Sequence, residues 1–118
     1  MVSPENPSEF PADCEGLELF RILTGRWGML VLLVLGEGPA RYFELRNRID
    51  GISEKMLAQT LRALQRNGLL SRSETRSVPP QVTYELTTLG RRFLGPLEFL
   101  QRTIGETVIE VQSARLRG

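Results

Sequence analysis

The chain has 118 residues, 41% of them hydrophobic and 25% charged, which are ordinary proportions for one globular domain and not for a disordered chain. Its longest uninterrupted apolar run, Met29–Leu35, is too short to cross a bilayer, so no membrane partner is expected. Histidine is absent and cysteine occurs once, which excludes histidine-based catalytic triads, the common zinc sites and an internal disulfide. We therefore expect no metal, no cofactor and no enzyme active site, and a cytoplasmic location.

The net charge is only +1, but the charges are unevenly distributed along the chain. Residues 1–20 carry five acidic residues and no base, whereas residues 41–76 carry eight bases against four acids. Nearly all of the bases are arginine, and Lys55 is the only lysine. An acidic leader followed by a basic middle is typical of a nucleic-acid-binding protein, although a solvated surface of mixed charge gives the same pattern.

The N-terminal part of the chain predicts a leader, a short helix and an apolar element. Residues 1–13 hold three of the seven prolines and little apolar content, so we expect a flexible acidic leader ahead of one domain spanning residues 14–118. Beyond Cys14, apolar residues at helical spacing predict a short amphipathic helix that ends at Gly25. The next run, Trp27–Leu35, is typical of either a buried strand or a buried helix, and the pattern alone leaves both open.

Two helices joined by a tight turn are predicted in the basic middle of the chain. The first covers Tyr42–Ile49, and Asp50-Gly51 forms the turn. Ser53 predicts the start of the second helix, because its hydroxyl can accept a hydrogen bond from a free amide of the first helical turn. One apolar stripe for burial then follows at helical spacing: Leu57, Leu61 and Leu64.

The C-terminal part predicts a hairpin and a long helix. Leu70–Thr75 and Val82–Leu86 are the predicted strands, and the prolines between them force the connecting loop to project. A long helix is expected over about residues 88–113, with a bend or break at Gly95-Pro96. The predicted fold class is mainly α (α+β): a winged helix-turn-helix with a two-stranded β wing and a long C-terminal helix.

This order of elements suits binding to duplex DNA. An α-helix is about as wide as the major groove, so a helix anchored by one apolar stripe can present its opposite face to base edges. That face holds Lys55, Gln59, Arg62 and Arg66. Ser53 and Thr60 are further candidates, and Arg76 and Gln81 of the wing suit the DNA backbone. Simpler explanations stand beside these: a polar helix face is often only solvated, Ser53 caps the helix, and Arg66 complements the helix dipole.

Five segments of the chain form a specific combination of motifs: Leu23–Trp27, Gly38–Leu45, Gly51–Leu61, Asn67–Arg72 and Val78–Gly90. The most specific part is the Gly-Ile-Ser-Glu-Lys-Met-Leu helix start followed by a Val-Pro-Pro wing. Together, from about Cys14 to Leu100, these segments resemble the HxlR-type transcriptional regulators, a bacterial winged-helix family. The sequence departs from the family pattern at Gln81, where a basic residue is common, and at Thr103-Ile104, where we expect Trp-Gly. Arg26 replaces the more usual lysine.

The resemblance implies that Trp27–Leu35 is helical and that the protein is a homodimer held mainly by its terminal helices. Two recognition helices would then bind a near-palindromic operator whose half-sites lie about 10 base pairs apart, with repression as the expected outcome. The groove contacts it implies are Ser53, Lys55, Gln59, Thr60 and Arg62. The phosphate contacts it implies are Arg26, Arg41 and Arg76. The expected dimer contacts are apolar residues: Leu17, Phe93, Leu97, Leu100, Ile104 and Val108.

Cys14 is a candidate sensor of oxidants or electrophiles, because many relatives carry a cysteine at this distance before the tryptophan and some of them use it in that way. A thiol at a helix N-terminus has its thiolate stabilised by free amides and the helix dipole. The neighbouring Asp13 and Glu15 oppose that effect, since like charge disfavours a thiolate. A small thiol packed under the dimer helices explains the residue equally well.

Two other functions stay open at this stage. The domain could serve as a protein–protein interaction module with weak or no DNA binding, in which the wing and the basic helix have lost their original use. It could also be a regulator that responds to a non-covalent small ligand, for which the space between the helix of Trp27 and the terminal helix is the expected pocket.

Overall fold

The computed structural model describes residues 15–118. Over this range the helices form the body of the protein, and a small antiparallel sheet packs against them with much of its hairpin exposed. The elements in chain order are α1 (Glu15–Thr24), α2 (Arg26–Leu35), β1 (Ala40–Arg41), α3 (Tyr42–Arg48), α4 (Glu54–Arg66), β2 (Leu70–Glu74), β3 (Val82–Leu86), α5 (Thr88–Arg91) and α6 (Leu94–Arg117). The mainly helical winged helix-turn-helix expected from the sequence is confirmed. The leader, residues 1–13, and Cys14 lie outside the described residues.

The helix α2 resolves the ambiguity of the apolar run. Trp27–Leu35 is helical, and three of its side chains, Val31, Leu32 and Leu35, have no exposed surface. An element buried on most of its circumference is apolar throughout, which is why its sequence pattern did not separate helix from strand. This helix packs against α1, α3, α4 and α6 and is the centre of the core.

The sheet has three strands in the order β1–β3–β2, one more than the two-stranded wing that was predicted. The extra strand is β1, which pairs through Ala40 with Tyr84 and through Arg41 with Thr83. Two residues are too few to show the alternation of a strand, so this pairing depends on the position of β3 in space. The hairpin itself follows the expectation, with β2 ending at Glu74, one residue earlier than predicted.

The long C-terminal helix predicted over about residues 88–113 is present and is broken near its start, as expected, and it continues to Arg117. It consists of α5 and α6, and the break falls at Arg92-Phe93, just before Gly95-Pro96. Pro96 is the third residue of α6, where a helical amide has no partner inside the helix, so the proline ring is accommodated there. The short α5 is held separately, because the Thr87 hydroxyl accepts from the Gly90 amide at 3.0 Å.

Most of α6 extends beyond the core. Leu97 is its buried residue among those described, and the helix continues to Arg117. The radius of gyration is 16.7 Å, whereas a compact chain of about 100 residues has roughly 13 Å. Within residues 15–118 no helix is both long enough and apolar enough to cross a membrane.

Candidate nucleic-acid interface

The helices α3 and α4 form a helix-turn-helix whose angle is fixed by local contacts. The turn passes through Gly51 at φ +82, a backbone conformation that suits glycine. The Tyr42 hydroxyl donates to the Glu54 carbonyl oxygen at 3.0 Å, and Arg46 pairs with the Glu54 carboxylate at 2.8 Å. Both contacts join α3 to the first residue of α4, so the start of α4 has a defined position.

The second helix of the motif, α4, buries one face and exposes the other. The Ser53 hydroxyl accepts from the Met56 amide at 3.1 Å, which confirms the predicted N-cap. The buried side chains are those of the predicted stripe: Leu57, Leu61 and Leu64. The side chains exposed on the opposite face include Lys55, Gln59, Arg62 and Arg66, and Thr60 is half-buried at the edge of that face. The helix α4 therefore presents basic and amide side chains on its exposed face.

The cations on this face differ in their partners. Within the described part of the chain Lys55 and Arg62 have no acidic partner, which leaves their charge available to a ligand. Arg66 instead lies 3.5 Å from the Glu18 carboxylate of α1. Both of these side chains are exposed, so the pair is weak and open to competition. Arg66 is thus less available to bind a ligand than Lys55 and Arg62.

The wing is a hairpin closed by a defined set of hydrogen bonds. The Thr75 amide donates to the Gln81 carbonyl oxygen at 2.9 Å, and the Gln81 amide donates to the Thr75 hydroxyl at 3.0 Å. Arg76 and Gln81 are both exposed, and Val78 at the tip of the loop between Thr75 and Gln81 is 96% exposed. The projecting loop predicted from the two prolines is present.

The base of the wing lies beside the start of α3. A cavity of about 450 Å³ is lined from one side by Pro79, Pro80 and Gln81 and from the other by residues that include Arg41 and Phe43. Arg41 is exposed, and its backbone amide donates to the Glu44 carboxylate at 3.0 Å, which fixes the entry into α3. Arg41 and the wing residue Gln81 thereby line the same part of the surface.

Arg26 is held in place by its neighbour. Its guanidinium group stacks over the Trp27 ring, 4.2 Å from the ring centroid, a cation–π contact that orients an otherwise mobile side chain. The same two side chains approach the helix-turn-helix turn at Gly51. A cleft of about 250 Å³ next to Arg26 is bounded by Gln59 and Thr60 of α4. The structure thus brings Arg26 to the edge of the helix that carries the predicted groove contacts.

One further base lines this cleft and was not singled out from the sequence. Arg21, in the last turn of α1, faces the cleft together with Arg26. No motif contains Arg21; the only signal was that Arg21 and Arg26 are the two bases of residues 21–40.

The predicted dimer residues fall into two groups. Leu97 is 7% exposed and Phe93 is half-buried, so both already pack into the core of their own chain. Leu100, Ile104 and Val108 are between 42% and 51% exposed along α6. Leu17 is half-buried on α1. Among the predicted dimer residues, those of α6 beyond Leu97 are therefore the most exposed.

Taken together, these elements define a winged helix-turn-helix protein. Over residues 22–112 the chain matches the family model described as HxlR-like helix-turn-helix, and it belongs to that family. It is similar to the HTH-type transcriptional regulator YtfH of Escherichia coli, with 42% identity over 106 residues that cover 90% of this chain and 84% of YtfH.

Solved structures show the same similarity. The regulator YtfH from Salmonella typhimurium has a TM-score of 0.84 at 39% identity, covering 90% of this chain and 95% of that one. Diamide-treated YodB from Bacillus subtilis has a TM-score of 0.67 at 32% identity, covering 81% and 96%. These relatives are transcriptional regulators.

Proposed function

We propose that the protein is a cytoplasmic, homodimeric, sequence-specific DNA-binding regulator that represses transcription from a near-palindromic operator. The observation that carries the proposal is the outward face of α4, where Lys55, Gln59 and Arg62 are exposed. The helix is anchored on its other side by fully buried leucines, so these side chains project from a rigid support.

The roles proposed for individual residues follow from their chemistry and their place on the surface. Arg62 and Lys55 donate to the acceptors on guanine, and Gln59 pairs with the donor and acceptor of adenine. Ser53 and Thr60 contact phosphates or bases at the edges of the groove. The backbone contacts proposed outside this face are Arg26, Arg41, Arg76 and Gln81, with Arg66 contributing only after its pair with Glu18 opens.

The homodimer is proposed from the apolar stripe of α6. Leu97, Leu100, Ile104, Val108 and Val111 recur at intervals of three and four residues and so share one face. The stripe begins in the core at Leu97 and continues along the projecting helix, where its residues are about half exposed. A second copy of α6 is apolar over the same length and covers it symmetrically, which pairs two α4 helices for a palindromic site.

Selection of bound sequences from a random duplex DNA pool, followed by a salt titration, tests the function. We expect an enriched sequence with two-fold symmetry, and an affinity that falls steeply between 50 and 200 mM salt because phosphate contacts release counterions. A protein that enriches no sequence and binds weakly at every salt concentration would support the protein–protein interaction module instead.

Repression is proposed on steric grounds. A dimer that occupies the major groove of two successive half-sites excludes other proteins from about two helical turns of promoter DNA. A reporter gene placed behind the selected operator should fall in expression when the protein is present. A rise in reporter expression would show instead that the protein is an activator.

A thiol response is proposed for Cys14, supported by the similarity to YodB, which has been solved in reduced and diamide-treated forms. Cys14 directly precedes Glu15, the first residue of α1, in the sequence. We expect an oxidant or electrophile to weaken operator binding by the wild-type protein and to leave Cys14→Ser unaffected, as measured by fluorescence anisotropy. Equal loss of binding in both proteins, or in neither, would contradict the proposal.

A further inference from the structure

The cleft between the α1–α2 junction and α4 places two arginines beside polar side chains of α4 on an otherwise largely apolar surface. Its volume is about 250 Å³, and its polar lining comes from Arg21, Arg26, Gln59 and Thr60. All four can donate hydrogen bonds, and the residues that line the cleft include no acid. An anion is the ligand that such a set of donors recognises.

The two guanidinium groups lack acidic partners among residues 15–118. Four other arginines in that range, Arg46, Arg48, Arg66 and Arg72, each pair with a glutamate. Arg21 and Arg26 line one cleft and neither is in such a pair, so the charge of both is open to an anionic ligand. An oxyanion in the cleft would be attracted by both charges, and the planar guanidinium fork matches two phosphate oxygens at once.

The position of the cleft identifies the source of the phosphate. Its far wall is α4 itself, where Gln59 and Thr60 stand next to the exposed face of Lys55 and Arg62. A helix about as wide as the major groove, seated in that groove, has a sugar–phosphate backbone along each side. The cleft shares no residue with the cavity at the wing, so it offers a separate backbone contact.

We propose that Arg21 and Arg26 together clamp one phosphodiester of the operator backbone beside α4, with the Thr60 hydroxyl as a third donor. The proposal rests on the proposed function and adds Arg21, on α1, to the DNA-binding surface. The stack on Trp27 orients the side chain of Arg26, and Arg21 binds the same phosphate from the preceding helix, α1. The clamp contributes affinity for any duplex and no base preference.

The test is a salt titration of the full chain on random-sequence duplex DNA. Arg21→Gln should lower the slope of log K against log salt by about one unit per protomer, while Arg21→Lys keeps the slope. Arg102→Gln is the matched control, because it removes the same charge from an exposed position on α6. Equal slopes for Arg21→Gln and Arg102→Gln, with equal melting temperatures, would overturn the clamp while leaving the proposed function intact.

Trp27 gives a second measurement at the cleft itself. It is the only tryptophan of the chain and lines the cleft, so its fluorescence reports what binds there. We expect the emission to change on addition of duplex DNA to the wild-type protein and to change less in Arg21→Gln at equal saturation. Wild-type protein that binds DNA by anisotropy without any change in Trp27 emission would overturn the clamp. Wild-type protein that fails to bind DNA at all would overturn the proposed function and the clamp together.

Discussion

Two amphipathic helices of this protein, α4 and α6, differ in what covers their apolar stripes. In α4 the stripe residues are at most 2% exposed, because α2 and β2 pack over them. In α6 the stripe is covered only at Leu97 within the described chain, and from Leu100 to Val111 it is between 42% and 51% exposed. The apolar stripe of α4 is covered within one chain, and the polar face of this helix is exposed to a ligand. The second helix, α6, leaves its apolar face about half exposed beyond Leu97.

The largest effect, on the free energy of unfolding, is expected for a substitution in the covered stripe of α4. Leu61→Ala in α4 removes a side chain that is 2% exposed and leaves a cavity in the core, so we expect a loss of about 2–5 kcal/mol in the free energy of unfolding. Urea denaturation at a fixed protein concentration measures it. Gln65→Ala, on the exposed side of the same helix, should change the value by less than about 0.5 kcal/mol. Similar losses in the two variants would show that α4 is not anchored by its stripe.

On α6 the corresponding substitution should affect assembly and not folding. Ile104→Glu places a charge on the exposed stripe, and we expect the dissociation constant of the dimer to rise on the order of a hundredfold, since the charge is buried in both copies. Sedimentation equilibrium measures it.

The matched control is Ile109→Glu. Ile109 is 73% exposed and lies on another side of α6, so the same change there should leave the dimer intact. If Ile109→Glu dissociates the protein and Ile104→Glu does not, the partner covers a different face of α6 from the one proposed.

A smaller effect is expected on the polar face of α4. Arg62→Ala should lower operator affinity by about 1–3 kcal/mol while random DNA is bound almost as before, because a contact to guanine is specific to sequence. Fluorescence anisotropy on both duplexes checks this, with Arg102→Ala as the control for lost charge. An equal loss on operator and random DNA would make Arg62 a phosphate contact.

The comparison also explains what the sequence could predict. The stripe of α4, its Ser53 cap and the proline wing depend on neighbours in the chain, and the structure has all three. The strand β1 and the pair between Arg66 and Glu18 depend on segments that are distant in sequence, so local patterns carried no trace of them. The break between α5 and α6 lies slightly before the predicted position at Gly95-Pro96, because Pro96 is tolerated in the first turn of a helix. The short α5 is fixed separately by the Thr87 cap and by the close approach of Gly90 to Leu69.

The residues of the candidate site also fall into those that the sequence could predict and those that it could not. The exposed residues of α4 could be predicted because one face of a helix follows from the other. The cleft of Arg21 and Arg26 could not, since it forms only where the end of α1 meets the side of α4. The core position of Leu97 was also hidden, because the sequence repeats the same apolar spacing along α6 without marking where the core ends.

The length of α6 has a mechanical consequence. Its 24 residues span roughly 36 Å as a straight rod, and Leu97 joins one end of that rod to the core that carries α4. A tilt of about 10° between the rod and the core displaces the far end by about 6 Å, close to two base-pair steps of B-DNA. In the proposed dimer, the packing around Leu97 therefore contributes to the distance between the two α4 helices and so to the preferred spacing of the half-sites.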